Sequence, residues 1–125
     1  MNRVLIFDDD IDILELCSLI LRSKGFEVIG KPTCQQVLKV VKEHQPDVIL
    51  MDNWIPDIGG IKATQLIKVD PETANIPVIF FSANNNTEKH SIEAGADYFI
   101  QKPFEIAELV SMVSGAITRR SIKTG

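Results

Sequence analysis

DVILMDNWIPDIGG, residues 47–60, decides how this chain is read. Val48, Ile49, Leu50 and Met51 form a short apolar run bounded by polar residues and turn formers. Such a run suits a strand buried on both faces, as in the middle of a parallel sheet. It stops at Asp52. Pro56 then fixes the backbone and removes a donor, and Gly59 and Gly60 relax the chain before the next helix. A carboxylate at the carboxyl end of a buried strand, followed by an ordered turn, is a presented group. Taken alone, Asp52 reads equally well as an ordinary turn former. The surrounding chain decides between the two.

The same grammar recurs on either side. VLIF, residues 4–7, is a buried strand that ends in Asp8, Asp9 and Asp10. A helix is predicted over residues 11–23, with Leu14, Cys17 and Leu21 at helical spacing and Gly25 as its stop. Acids at its start suit the positive end of the helix dipole, and Asp10 suits its cap. Three like charges in a row nevertheless repel, and a cation is needed to offset them. Residues 26–30 form a weaker strand. Thr33 is expected to cap a helix running to His44, with Cys34, Val37, Leu38 and Val41 on one face. A third helix spans residues 61–69 and is closed by Asp70 and Pro71.

PVIFF, residues 77–81, is the fourth strand and leads into Ser82. A loop at residues 84–86 precedes a short helix, residues 87–94, with few apolar anchors beyond Ile92 and Ala94. YFI, residues 98–100, is the fifth strand and leads to Lys102. The last helix is predicted over residues 104–116, with Ile106, Val110, Val113 and Ile117 at core spacing. The polar tail from Thr118, chiefly residues 119–125, is expected to fray.

Strand and helix thus alternate five times. The expected fold class is α/β: a doubly wound, five-stranded parallel sheet in the flavodoxin-like order 2-1-3-4-5, with helices on both faces. At 125 residues the chain suits one domain, residues 1–125. A net charge of −4 argues against a general nucleic-acid or anionic-membrane surface. No apolar run has the length of a membrane span and the start lacks a signal-peptide layout, so a cytoplasmic location is expected. The two cysteines, Cys17 and Cys34, fall at apolar helical positions and read as small core side chains. His44 and His90 read as solvated residues on helix surfaces.

In a doubly wound sheet the binding crevice lies beyond the carboxyl ends of the strands, where the winding reverses. That rim gathers Asp8 and Asp9 from the first strand, Asp52 from the third, Ser82 from the fourth and Lys102 from the fifth. The carboxylates suit a hard divalent cation such as Mg2+. The lysine and the hydroxyl suit a phosphoryl group. Asp52 stands alone while Asp8 and Asp9 form a metal-holding pair, so Asp52 is the nucleophile of choice and an aspartyl phosphate its product.

VLIFDDD (4–10), DVILMDNWIPDIGG (47–60), VIFFSA (78–83) and GADYFIQKPF (95–104) together resemble the receiver domain of two-component response regulators. The resemblance spans essentially the whole chain. It implies that Asp52 is the phosphoacceptor, that Asp9 ligates Mg2+ directly with Asp8 beside it, and that Trp54 lends the metal its backbone carbonyl. Ser82 matches the hydroxyl that contacts the phosphoryl group, and Lys102 the lysine that binds it. The peptide before Pro103 is expected to be cis. Phe99 matches the switch aromatic, with Ser82 as the other switch residue. Tyr98, one place earlier, should face the opposite side of the sheet. The implied partners are a sensor histidine kinase or a histidine phosphotransfer protein upstream, and a protein target or a second copy of the chain downstream. Direct nucleic-acid contact and membrane contact are not expected.

Two features depart from the usual pattern. Trp54 should project near the phosphoryl pocket and screen it from water, with Asn84 flanking the same path. Phe99 lacks a hydroxyl to anchor a rotated state, so its switch would rest on packing. The rival readings are a haloacid-dehalogenase-type phosphatase, a pseudo-receiver that binds without phosphorylation, and a flavodoxin-like cofactor carrier. The first is disfavoured because Ile11 and Asp12 replace the Gly-Thr that follows that family's acid motif, and because neither a cap domain nor the late acidic pair is found in the chain. The third lacks a phosphate-cradling turn.

Overall fold

The computed structural model describes residues 2–83 and 86–124, with side chains through residue 120. Ten elements alternate along the chain: β1 (Arg3–Phe7), α1 (Ile11–Ser23), β2 (Glu27–Lys31), α2 (Val37–His44), β3 (Val48–Asp52), α3 (Gly60–Val69), β4 (Val78–Ser82), α4 (Thr87–Ala94), β5 (Tyr98–Gln101) and α5 (Ile106–Thr124). The strands form one parallel sheet in the order β2-β1-β3-β4-β5. This is the topology read from the alternation, and its cause is the same: parallel neighbours need a crossover helix, and crossovers of one hand wind outward from the first strand on both sides.

β3 and β4 are buried at every position, which explains their unbroken apolar runs. Their side chains alternate between two cores. Val4, Ile6, Leu50, Ile79 and Phe81 pack under α1 and α5 with Cys17, Leu21, Leu109 and Val113. Leu5, Phe7, Ile49, Met51 and Phe80 pack on the other face with Val37, Val41, Ala63 and Ile67. Burying one such large side chain contributes about 1.5–3 kcal/mol. Cys17 and Cys34 are buried on opposite faces of the sheet, each as a free thiol.

Asp10 caps α1 as expected, its carboxylate accepting from the amides of Asp12 (3.1 Å) and Ile13 (3.3 Å). Helix bounds differ from the sequence reading at four places: α3 starts one residue early at Gly60, α5 starts two residues late at Ile106, and two larger differences follow. α2 begins at Val37, not just after Thr33, whose hydroxyl accepts only from the nearby Gln35 amide. Cys34 is held elsewhere, its amide and its Sγ both donating to the carbonyl of Pro56 at 3.1 Å. Gln36 then takes a left-handed φ of 53°, which breaks any earlier helical start. At the other end, α5 runs through Thr124, past the predicted stop at Ala116. No glycine or proline interrupts the polar residues that follow Thr118 until Gly125, which lies outside the described residues.

α4 is the least anchored helix by apolar burial. Its buried residues are Thr87, Ser91 and Ala94, all small, while Ile92 is 72% exposed. The expectation that Ile92 anchors it is therefore corrected: at its position on the helix it points to solvent. Side-chain hydrogen bonds hold the helix instead. Thr87 Oγ1 donates to Ser82 O (3.2 Å) and Gln65 Nε2 donates to Glu93 O (3.2 Å).

Candidate functional site

Ends of adjacent strands build the site. β1 delivers Asp8, whose amide donates to Lys31 O at 3.1 Å and so stays in the sheet's ladder. Its side chain is almost wholly buried and engaged at both oxygens: Oδ1 accepts from the Asp10 amide (2.9 Å) and Oδ2 from Lys102 Nζ (2.7 Å). Asp9, next in the chain, is exposed. β3 delivers Asp52, 5% exposed, with Oδ1 accepting from Lys102 Nζ (3.1 Å) and Oδ2 from the Trp54 amide (3.2 Å). One oxygen from each of Asp8, Asp9 and Asp52 lies within 4.8 Å of the others.

Lys102 follows β5 with its amide donating to Ser82 O (2.8 Å), and its peptide bond to Pro103 is cis. Its ammonium lies 4.4 Å from the centre of the Phe81 ring, a cation–π contact that adds to the two ion pairs. Ser82 is fully buried at the end of β4, in register with Gln101. The structure therefore places Asp8, Asp9, Asp52 and Lys102 together and Ser82 at the adjoining strand end.

Three carboxylates against one ammonium leave an excess of negative charge. Burial pushes the Asp52 carboxyl above the usual carboxylate range; Lys102 opposes this, while Asp8 and Asp9 reinforce it. Burial disfavours the Lys102 ammonium, but its hydrogen bond to Asp8 and the charges of Asp52 and Asp8 outweigh that and raise it above its ordinary value. The Cys17 thiol beneath the cluster is pushed up to about 12, mainly by burial, with Asp8 adding and Lys102 opposing. A buried thiol raised this far is a weak nucleophile and metal ligand, in keeping with a core side chain. Hard oxygen donors carrying uncompensated charge fit a small divalent cation.

With that geometry in hand, similarity to known proteins becomes informative. Residues 4–114 match the family model described as the response regulator receiver domain. The chain belongs to this family. As a receiver domain of a two-component response regulator, it is 35% identical over 122 residues to the DNA-binding response regulator MtrA of Mycobacterium tuberculosis H37Rv, covering 94% of this chain and 51% of that protein. It is 33% identical over 120 residues to the phosphate regulon transcriptional regulatory protein PhoB of Pseudomonas aeruginosa, covering 94% and 52%. The chain spans about half the length of the curated relatives it matches. Among solved structures, a putative response regulator from Chloroflexus aurantiacus superposes with a TM-score of 0.88 at 28% identity, covering 94% of this chain and 98% of that one. A CheY-like receiver domain protein from Methanospirillum hungatei also gives 0.88 at 25% identity, covering 100% and 99%.

Within the receiver, Trp54 is 66% exposed, held through its backbone while the indole faces outward. Phe99 is 39% exposed on the α4 side of the sheet, opposite Phe80. Tyr98 faces the other way, under α5, with the Arg119 guanidinium 5.3 Å from its ring centre. Asn84 lies outside the described residues.

Four residues depart from the sequence reading. His90 is not a freely solvated surface residue: it is half-buried, and its Nδ1 lies 3.2 Å from the Nδ2 of Asn53. Asn53 is itself 6% exposed, although only its position beside Asp52 hinted at this. Gly60 lies so close to the end of β3 that a Cβ would sit 2.2 Å from Asp52 O. The Gly59-Gly60 pair was visible in the sequence, but not which glycine served which need: Gly59 has a φ of +84°, and Gly60 has the close approach. His44 is half-buried, and its carbonyl accepts from the Arg3 guanidinium.

Proposed function

We propose that the chain is a phosphorylation-dependent switch that accepts a phosphoryl group on Asp52 from a phosphohistidine of a sensor histidine kinase or phosphotransfer protein. The observation that carries this reading is the shared grip of Lys102 on Asp8 and Asp52, with Asp9 exposed beside them. An Asp52 oxygen attacks phosphorus, the P–N bond to the donor imidazole breaks, and the released imidazole takes a proton from solvent. Lys102 holds the acceptor in place and neutralises charge on the transferred group, and the Ser82 hydroxyl donates to one of its oxygens. Asp8, Asp9, Asp52 and the Trp54 carbonyl would hold Mg2+. That ion, when bound, supplies charge neutralisation and orientation for the incoming phosphate.

The added group carries roughly −2 charge and strong acceptor oxygens. Ser82 and Lys102 are drawn towards it, and Phe99 turns inward against the sheet. α4 shifts with little apolar resistance. The α4–β5–α5 face then engages a protein target or a second copy of the chain. The exposed indole of Trp54 screens the acyl phosphate from water, so Trp54→Ala should hasten its hydrolysis. The chain turns over no external substrate beyond its own phosphoryl group.

The test is intact mass after incubation with Mg2+ and acetyl phosphate. The wild type should gain one phosphoryl group and Asp52→Ala none. Equal labelling of both proteins, or sustained hydrolysis of phosphate esters without a labelled protein, would overturn the reading.

A further inference from the structure

Beyond the site itself, the least expected contact in the molecule joins Asn53 to His90. Asn53 follows Asp52 directly. Its carbonyl accepts from Gly60 N (2.9 Å), so the residue is fixed at the root of the β3–α3 loop. Its side-chain amide meets the His90 ring at 3.2 Å, on the middle turn of α4. In the Nε2–H tautomer the ring accepts this bond at Nδ1.

Other polar contacts hold α4 to different places. Thr87 binds the end of β4, and Gln65 binds the helix's last turn from α3. The His90 bond ties α4 directly to the segment that carries Asp52. Because α4 buries only small side chains, one well-placed hydrogen bond is a large share of its attachment.

We propose that Asn53 and His90 form a latch between the acceptor loop and α4, and that His90 is a positioning residue for phosphoryl transfer. This rests on the reading of Asp52 as the phosphoacceptor. With the latch closed, the seat of α4 fixes the backbone at residues 52–54 and hence the aim of the Asp52 carboxylate. Coupling of this kind is reciprocal. A protein bound on α4 therefore shifts the balance between phosphorylated and unphosphorylated Asp52, and the phosphoryl group shifts by the same factor how tightly that protein binds.

The experiment compares wild type, Asn53→Ala, His90→Ala, the double variant and His90→Gln. Labelling with acetyl phosphate and Mg2+, loss of the label, and amide exchange in α4 of unlabelled protein are each followed. Each single alanine variant should change the labelling or decay rate about three- to tenfold, the scale of one partly buried hydrogen bond. The double variant should be no worse than either single, since both remove one interaction. His90→Gln, which keeps a polar group within reach, should return to within about twofold of wild type. Exchange in α4 should quicken in the alanine variants only.

Multiplying effects in the double variant, unchanged rates throughout, or a lowered melting point with unchanged kinetics would overturn the latch. If the wild type took no label, the phosphoacceptor reading would fail instead. The exchange arm would then decide the latch alone, with unchanged α4 exchange in His90→Ala refuting it.

Discussion

The two ends of the sheet use the same residue types to opposite effect. At the amino ends of the strands, acids and bases pair off. Arg3 meets Glu27 at 3.1 Å, its amide donates to Asp47 (2.7 Å), and Arg120 donates to Pro46 O (3.2 Å) beside Asp47. Lys42 bridges Asp70 (3.0 Å) and Glu72 (3.5 Å). Lys68 donates to Asp97 (2.8 Å) and to Ile76 O (3.0 Å). At the carboxyl ends three carboxylates crowd around Lys102. One end pairs its charges, and the other holds three carboxylates around one ammonium.

Experiments can break this contrast, beginning with the largest effect. Gly60→Ala forces a methyl group into the backbone of Asp52 and should cost about 1–3 kcal/mol of stability. Denaturant melts would read that loss, and phosphoryl labelling should fall more than tenfold on the same protein. Next, Mg2+ at a hundred times its dissociation constant should stabilise the wild type by about 2.7 kcal/mol. A thermal shift series should show most of that gain missing in Asp9→Asn, and a full gain there would contradict the assignment of excess charge to this end.

Smaller is the effect of neutralising the acceptor. The folded state holds the Asp52 carboxyl above its ordinary pKa, so protonated Asp52 favours the fold and ionised Asp52 disfavours it. Its favourable contribution is complete below the unfolded value and is lost as pH rises through the raised folded value. Metal-free Asp52→Asn should therefore melt higher than wild type at pH 7. That advantage should shrink as pH falls through the raised folded value towards the ordinary 3.8. Last comes Lys68→Met at the opposite end, which should cost about 1 kcal/mol and leave labelling unchanged. A labelling defect there would show that the two ends are not independent.

Much of this was legible in the sequence, because it rests on local rules. Buried parallel strands write themselves as apolar runs, and polar residues at their ends become a rim. Asp10 was a cap because the cap and its helix are neighbours. Period-two alternation put Tyr98 and Phe99 on opposite faces. What escaped depended on distant partners. α2 starts late because Cys34 binds the carbonyl of Pro56 across 22 positions, and His90 meets Asn53 across 37. α5 runs on because nothing local stops it, and polarity alone does not end a helix. Gly60 must lack a side chain because the loop folds back onto the backbone of Asp52 and Asn53, a close approach that residue types do not spell out even within one short stretch.

Trp54 is the chain's single tryptophan, it is mostly exposed, and its amide is bonded to the Asp52 carboxylate. The protein thus carries an optical reporter beside the Asp8, Asp9 and Asp52 cluster, where the proposed phosphorylation would occur. Emission from one indole can follow metal titration and phosphorylation in real time, without dye or isotope, in unaltered protein.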